Sequence, residues 1–125
     1  MAYNLTDVYQ QVGVETRMAS ATPHTLILML FDGGLAALAS ARFHMLRGNL
    51  LQKGAAITRT IAILEELNAS LNMQAGGQIS RDLRALYLYM MQRLLRANLD
   101  NNVKYIDEVS RLLGNLRAGW AAIGT

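Results

Sequence analysis

Residues 22–35 read TPHTLILMLFDGGL: a threonine and a proline, six apolar side chains in a row from Leu26 to Phe31, then an aspartate and two glycines. Such a run fits a buried strand, the start of a membrane span, or a helix with apolar side chains on more than one face. Proline is well placed at the first position of a helix, and a threonine before it can cap the turn that opens there. Downstream, Ile27, Phe31, Gly34, Leu38, Ala41 and Met45 follow in steps of four and three, the spacing of one helical face. The segment ends at Arg47-Gly48-Asn49, and no uninterrupted apolar run approaches the roughly 18 residues of a membrane span. The expectation is a helix with two apolar faces, one for a core and one for something else.

The same period continues along the chain. A second helix is expected from about Leu50 to Leu71, with Ile57, Ile61, Leu64 and Leu71 as its stripe and Asn68 at the intervening position. Asn72 to Gln78 reads as a break. A third helix carries Ile79, Leu83, Leu86, Met90, Leu94 and Ala97, and Asp100 is expected to cap a fourth with Ile106, Val109, Leu113, Leu116, Trp120 and Ile123 inward. Four such helices with short connections pack most simply as an all-α, antiparallel four-helix bundle. The expected organisation is a bundle over residues 23–125 and an N-terminal arm over residues 1–22, an arm or short helix resting on the bundle and covering apolar surface.

The totals agree with one domain of 125 residues, which buries roughly two-thirds of its unfolded surface and needs no staple. The absence of cysteine excludes disulfides, thiolate metal sites and cysteine nucleophiles, and is in keeping with a reducing compartment. The N-terminal MAYNLTDVYQQ has neither the positive start nor the apolar core of a secretory signal. A net charge of +3, with ten arginines among twelve basic residues, could suit an acidic partner. The basic residues are scattered, however (Arg42, Arg47, Lys53, Arg59, Arg81, Arg84, Arg93, Arg96), and read as a solvated helix surface rather than a nucleic-acid site.

Catalytic chemistry finds little support. His24 and His44 stand twenty positions apart, without the spacing of a helical zinc pair. The acids Glu65-Glu66 and Asp107-Glu108 are neighbours in sequence and so diverge by about 100° on a helix. No Glu-x-x-His repeat of a di-iron bundle occurs. Asp32 is expected to pair with an arginine while Gly33-Gly34 allow close helix contact, and Gly76-Gly77 reads as a turn without the lysine of a phosphate loop. Arg93 alone keeps open a helical enzyme that holds a dicarboxylate. The expectation is no enzyme, no catalytic residue, no metal and no cofactor.

Apolar surface is more plentiful than one core requires. A bundle helix needs an apolar stripe about three positions wide in seven. The first helix adds Leu26, Leu28, Met29 and Leu35 to its stripe, the second Ile63 and Leu67, and the third Tyr87, Leu88, Met91 and Leu95. Seven methionines add adaptable surface. Two readings follow: self-association as a homodimeric helical scaffold or adaptor, or a groove for an amphipathic helix from another chain.

Specific residues favour the second. Tyr9-Gln10-Gln11-Val12, Ala19-Ser20-Ala21-Thr22-Pro23-His24 and Met29-Leu30-Phe31-Asp32-Gly33 resemble the FliS family of bacterial flagellin export chaperones. The resemblance continues in order through Gly76-Gly77-Gln78-Ile79, Leu86-Tyr87-x-Tyr89-Met90, Arg93-Leu94-Leu95, Ala97-Asn98-Leu99, Leu112-Leu113 and Trp120. Gln78 stands where the family commonly has glutamate and Leu88 where it commonly has aspartate. The resemblance implies a helical bundle in the bacterial cytoplasm that binds the C-terminal segment of flagellin, prevents its premature polymerisation without ATP, and delivers it to the flagellar type III export gate. Flagellar regulators or co-chaperones would be further partners, with no nucleic acid and no membrane insertion. On this reading the client contacts are Leu28, Leu35, Ile63, Leu67, Tyr87 and Met91, and the arm contacts are Tyr9, Val12 and Met18.

Overall fold

The computed structural model describes residues 22–123, which form four helices: α1 (Pro23–Leu46), α2 (Leu50–Ala69), α3 (Met73–Asp100) and α4 (Val103–Ile123). Each helix packs against the two beside it, in the ring order α1, α2, α3, α4. Connections of two or three residues turn the chain straight back, so neighbours run antiparallel, as the periodicity predicts. The arm residues Tyr9, Val12 and Met18 lie outside the described residues.

Helix α1 opens as its sequence requires. The Thr25 N–H donates to Thr22 Oγ1 at 3.1 Å, and Pro23 takes the first helical position. Phe31, Gly34, Leu38, Ala41 and Met45 are buried along one face. Gly34 is what lets α4 approach: a Cβ there would lie 2.8 Å from Cδ2 of Leu113. Ile57, Leu64 and Leu67 of α2, Met90, Leu94 and Ala97 of α3, and Ile106, Val109 and Leu113 of α4 complete the core. Thr60 is also buried there, and its hydroxyl donates to Ala56 O at 2.9 Å, leaving no unpaired donor.

By length and hydropathy α1 alone would suffice to cross a bilayer, with a mean of 1.6 over its most apolar window. In the bundle one face of that surface packs into the core, the rest is left partly exposed, and the flanks carry ion pairs to α4. Arg42 Nε donates to Asp107 and Arg117 Nε donates to Asp32, each at 2.9 Å. The second is the pair expected for Asp32.

Four local expectations change. Helix α2 ends at Ala69, where the Ser70 N–H turns back to Glu66 O and Leu67 O. Residues 73–76 are helical rather than a break, because Asn72 Oδ1 accepts from the Ala75 N–H at 2.9 Å and caps them. The bend falls at Gly77, whose φ of 53° and ψ of −128° suit glycine and strain other residues. Asp100 does not cap α4. It ends α3 and pairs with Arg96, while Asn101 takes a left-handed φ of 54° and Asn102 Oδ1 accepts from Lys104 N–H. Lys53, read from sequence as solvated, is buried. Its ammonium donates to Asn98 O at 3.1 Å and Asn101 Oδ1 at 3.0 Å, tying α2 to the C-terminus of α3.

Candidate functional site

At the opposite end of the bundle from Lys53 the four helices leave a groove of about 860 Å³. Its walls are Pro23, His24, Leu26, Ile27 and Phe31 from α1, Ser70, Leu71 and Asn72 from the α2–α3 turn, Ile79, Ser80, Leu83 and Tyr87 from α3, and Asn115, Leu116, Gly119, Trp120 and Ile123 from α4. No aspartate, glutamate, lysine or arginine is among them. The Gly77 bend lies between two wall residues, Asn72 and Ile79. It is tied down by Ser80, whose hydroxyl donates to Asn72 O at 2.9 Å and passes so close to Gly76 that a Cβ there would collide with it.

The α1–α4 side of the mouth is held by two residues. His24 Nε2 donates to the Trp120 carbonyl at 2.7 Å, and Trp120 Nε1 donates to the His24 carbonyl at 2.9 Å. Their rings stack with centroids 5.1 Å apart and planes 15° from parallel. The His24 ring thus serves the C-terminal turn of α4, while Thr22 caps its own helix. Deeper in, Tyr87 is only 3% exposed, and burial pushes its phenol up to about 12.

Of the six residues expected to contact a client, Tyr87 lines this groove. Leu67 is in the core at 1% exposure. Ile63 is half-buried against Gly33 and Gly34 at the α1–α2 seam, and Leu28, Leu35 and Met91 are half-buried on the flanks. The groove residues Ile79, Leu83, Leu116, Trp120 and Ile123 were all legible as inward-facing, yet their period could not distinguish a filled core from an unfilled one. The usable signal was their position at helix ends beside Gly76-Gly77, where neighbouring helices run out.

The polar residues of α3 and α4 form a second cluster, away from the groove. Arg93 Nε donates to Glu108 Oε1 at 2.7 Å, the Tyr89 hydroxyl donates to Glu108 Oε2 at 2.5 Å, and the Arg93 guanidinium lies 4.1 Å from the Tyr105 ring centre. The Tyr89 hydrogen bond, together with Arg93, holds the Glu108 carboxyl below its ordinary range. Asp107 points instead to Arg42, so the two adjacent acids serve different neighbours, as expected from their helical angle. These pairs join α4 to α1 on one side and to α3 on the other. Among the described residues no three metal-ligating groups gather.

Known proteins match the chain along nearly its whole length. A family model described as "Flagellar protein FliS" matches residues 5–125. The flagellar secretion chaperone FliS of Salmonella typhimurium is 45% identical over 116 residues, spanning 92% of this chain and 86% of that protein. The flagellar secretion chaperone FliSB of Pseudomonas aeruginosa is 42% identical over 115 residues, 92% of this chain and 91% of that protein. FliS of Bacillus subtilis is 32% identical over 112 residues, covering 90% and 80% respectively. With a matching family model across the bundle and identities of this size over most of both chains, the chain belongs to the FliS family of flagellar proteins.

Proposed function

We propose that this chain is an export chaperone of the bacterial cytoplasm that holds the C-terminal segment of flagellin in its groove. Bound there, the segment cannot polymerise and stays competent for flagellar type III export. The observation that carries the reading is the groove itself: open, apolar and without a charged side chain at one end of a closed bundle. Such a site selects an amphipathic helix by its apolar face, and its affinity owes little to charge. Tyr87 contacts the client directly. Leu28, Leu35, Ile63 and Met91 extend the contact along the flanks, and Leu67 supports the wall from within the core. The arm, through Tyr9, Val12 and Met18, covers apolar surface until the client arrives, and the loaded complex docks on the export gate.

The energetics suit reversible capture. Burying about 1,000 Å² of apolar surface is worth about 25 kcal/mol gross. Ordering the client removes about 2–5 kcal/mol, and association costs take more. No nucleotide is required to load the site and no chemical step is involved.

Calorimetric titration with the C-terminal segment of the cognate flagellin tests the proposal. The expected result is one-to-one binding that changes little with salt, with the segment becoming helical by circular dichroism. Absence of binding by the folded protein overturns it. The rival homodimeric scaffold draws on the bare side chains at the other end, where Leu51 and Leu99 are 84% and 76% exposed. Light scattering over a range of concentrations separates the two, since a scaffold dimer and a client-binding monomer differ twofold in mass.

A further inference from the structure

The groove is apolar at its mouth because two polar residues there satisfy each other. An indole has one donor and no acceptor, and Trp120 gives that donor to the His24 carbonyl. His24 in turn gives Nε2–H to the Trp120 carbonyl in the last turn of α4, where carbonyls lack helical partners. What this wall presents to an occupant is therefore largely apolar: the indole ring with Leu116 and Ile123, alongside the single amide of Asn115. Turning the indole away breaks the stack and its bond to the His24 carbonyl, and turning the imidazole away breaks the stack and its bond to the Trp120 carbonyl.

We infer that the His24–Trp120 pair is the positioning device of the groove. It holds the last turn of α4 against the first turn of α1 in the arrangement an incoming apolar helix needs. His24 thereby sets affinity without itself reading the client. This rests on the groove being the seat of the flagellin segment. The remaining tie between these two helix ends is the Arg117–Asp32 pair, which is half in solvent and contributes little. Beyond it the final turn has no other anchor among the described residues, and Ile123 is 74% exposed. A wall left to fray occupies its binding-competent position only part of the time, and apparent affinity falls in proportion.

The test uses the intact protein, His24→Ala, Trp120→Phe and the double variant, each titrated with the flagellin C-terminal segment by calorimetry. Trp120→Phe keeps an aromatic ring on the wall and removes only the donor. Each single variant is expected to bind about tenfold more weakly, as for a wall competent one-tenth of the time. The double variant is expected to bind more weakly than either single by less than the product of their losses, because each change removes one hydrogen bond and disturbs the stack that the two residues share. Singles that bind like the unaltered protein, or losses that multiply in the double variant, overturn the inference. The clasp is also read without client, through hydrogen exchange of the single indole N–H by NMR. Exchange at least about tenfold faster in His24→Ala, with the amides of Leu38 and Ile106 protected as before, supports it. An indole protected equally in both proteins overturns it. Failure of the unaltered protein to bind the segment would remove the flagellin reading, while indole exchange still decides whether the pair holds the wall.

Discussion

The two ends of the bundle are closed by different chemistry. At one end, Lys53 reaches from α2 across to Asn98 and Asn101 at the C-terminus of α3, so a buried cation neutralises helix-end carbonyls and draws the second and third helices together. At the other, His24 and Trp120 join α1 to α4, and among the described residues no comparable tie brings the α3 side of that end inward. A polar tie joins α2 and α3 at the first end. A clasp confined to one side leaves the second open as a groove. Apolar residues are present at both ends, so their number does not explain which one is hollow. What differs is which pair of helices the hydrogen-bonded link joins.

That difference can be broken in graded steps. Ile106→Asp, which puts a charge at a fully buried position in the first turn of α4, unfolds the bundle and so removes both ends at once. A loss above about 4 kcal/mol is expected, seen as the absence of a cooperative thermal transition. Lys53→Met opens only the closed end. It preserves the aliphatic length but leaves Asn98 O and Asn101 Oδ1 without their charged donor, for an expected loss of about 2 kcal/mol in denaturant unfolding. Flagellin binding by the folded fraction should be unchanged. Ile79→Asp acts in the opposite sense. This side chain is 71% exposed on the groove wall, so stability should hold within about 0.5 kcal/mol while affinity for the client falls about tenfold or more.

The smallest effect lies on the flank between the two ends. Glu108 is held below its ordinary range, chiefly by the Tyr89 hydroxyl and then by Arg93 against the opposing effect of burial. A carboxylate with a depressed folded value stabilises above its unfolded value, about 4.3, and that contribution is lost as pH falls through the folded value. Glu108→Gln should therefore lower Tm slightly at neutral pH, and the gap from the unaltered protein should close in acid. A gap that persists unchanged at low pH would show that Glu108 works through packing instead.

Much of this fold is legible in particular residues. Thr22 and Pro23 act within one turn, so a cap and a first helical position can be read without knowing the neighbours. The stripe Ile27, Phe31, Gly34, Leu38, Ala41 and Met45 announces an inward face by period alone, and every member is buried except Ile27, which lines the groove. Asp32 beside Gly33-Gly34 implied an ionic partner next to a close helix contact, and Arg117 and Leu113 supply them. Lys53 shows the limit. A lysine on a helix reads as solvated, and only a helix end brought across from 45 residues away gives its ammonium a reason to be buried. Residues 72–78 show it again. Asparagine and two glycines suggest a break, but a side-chain cap and a single bend satisfy them with less interruption.

Four amphipathic helices, their inward faces and their antiparallel order follow from local properties of the chain: period, caps and short connections. Where the inward faces meet, and where they do not, follows from how the helices pack. Ile79, Leu83, Leu116 and Trp120 carry the same pattern as the core residues that precede or follow them. Whether such a side chain is packed or lines a groove depends on the far helix reaching it. That depends in turn on ties such as Lys53 to Asn98 and His24 to Trp120, which join residues 45 and 96 positions apart and have no period to betray them.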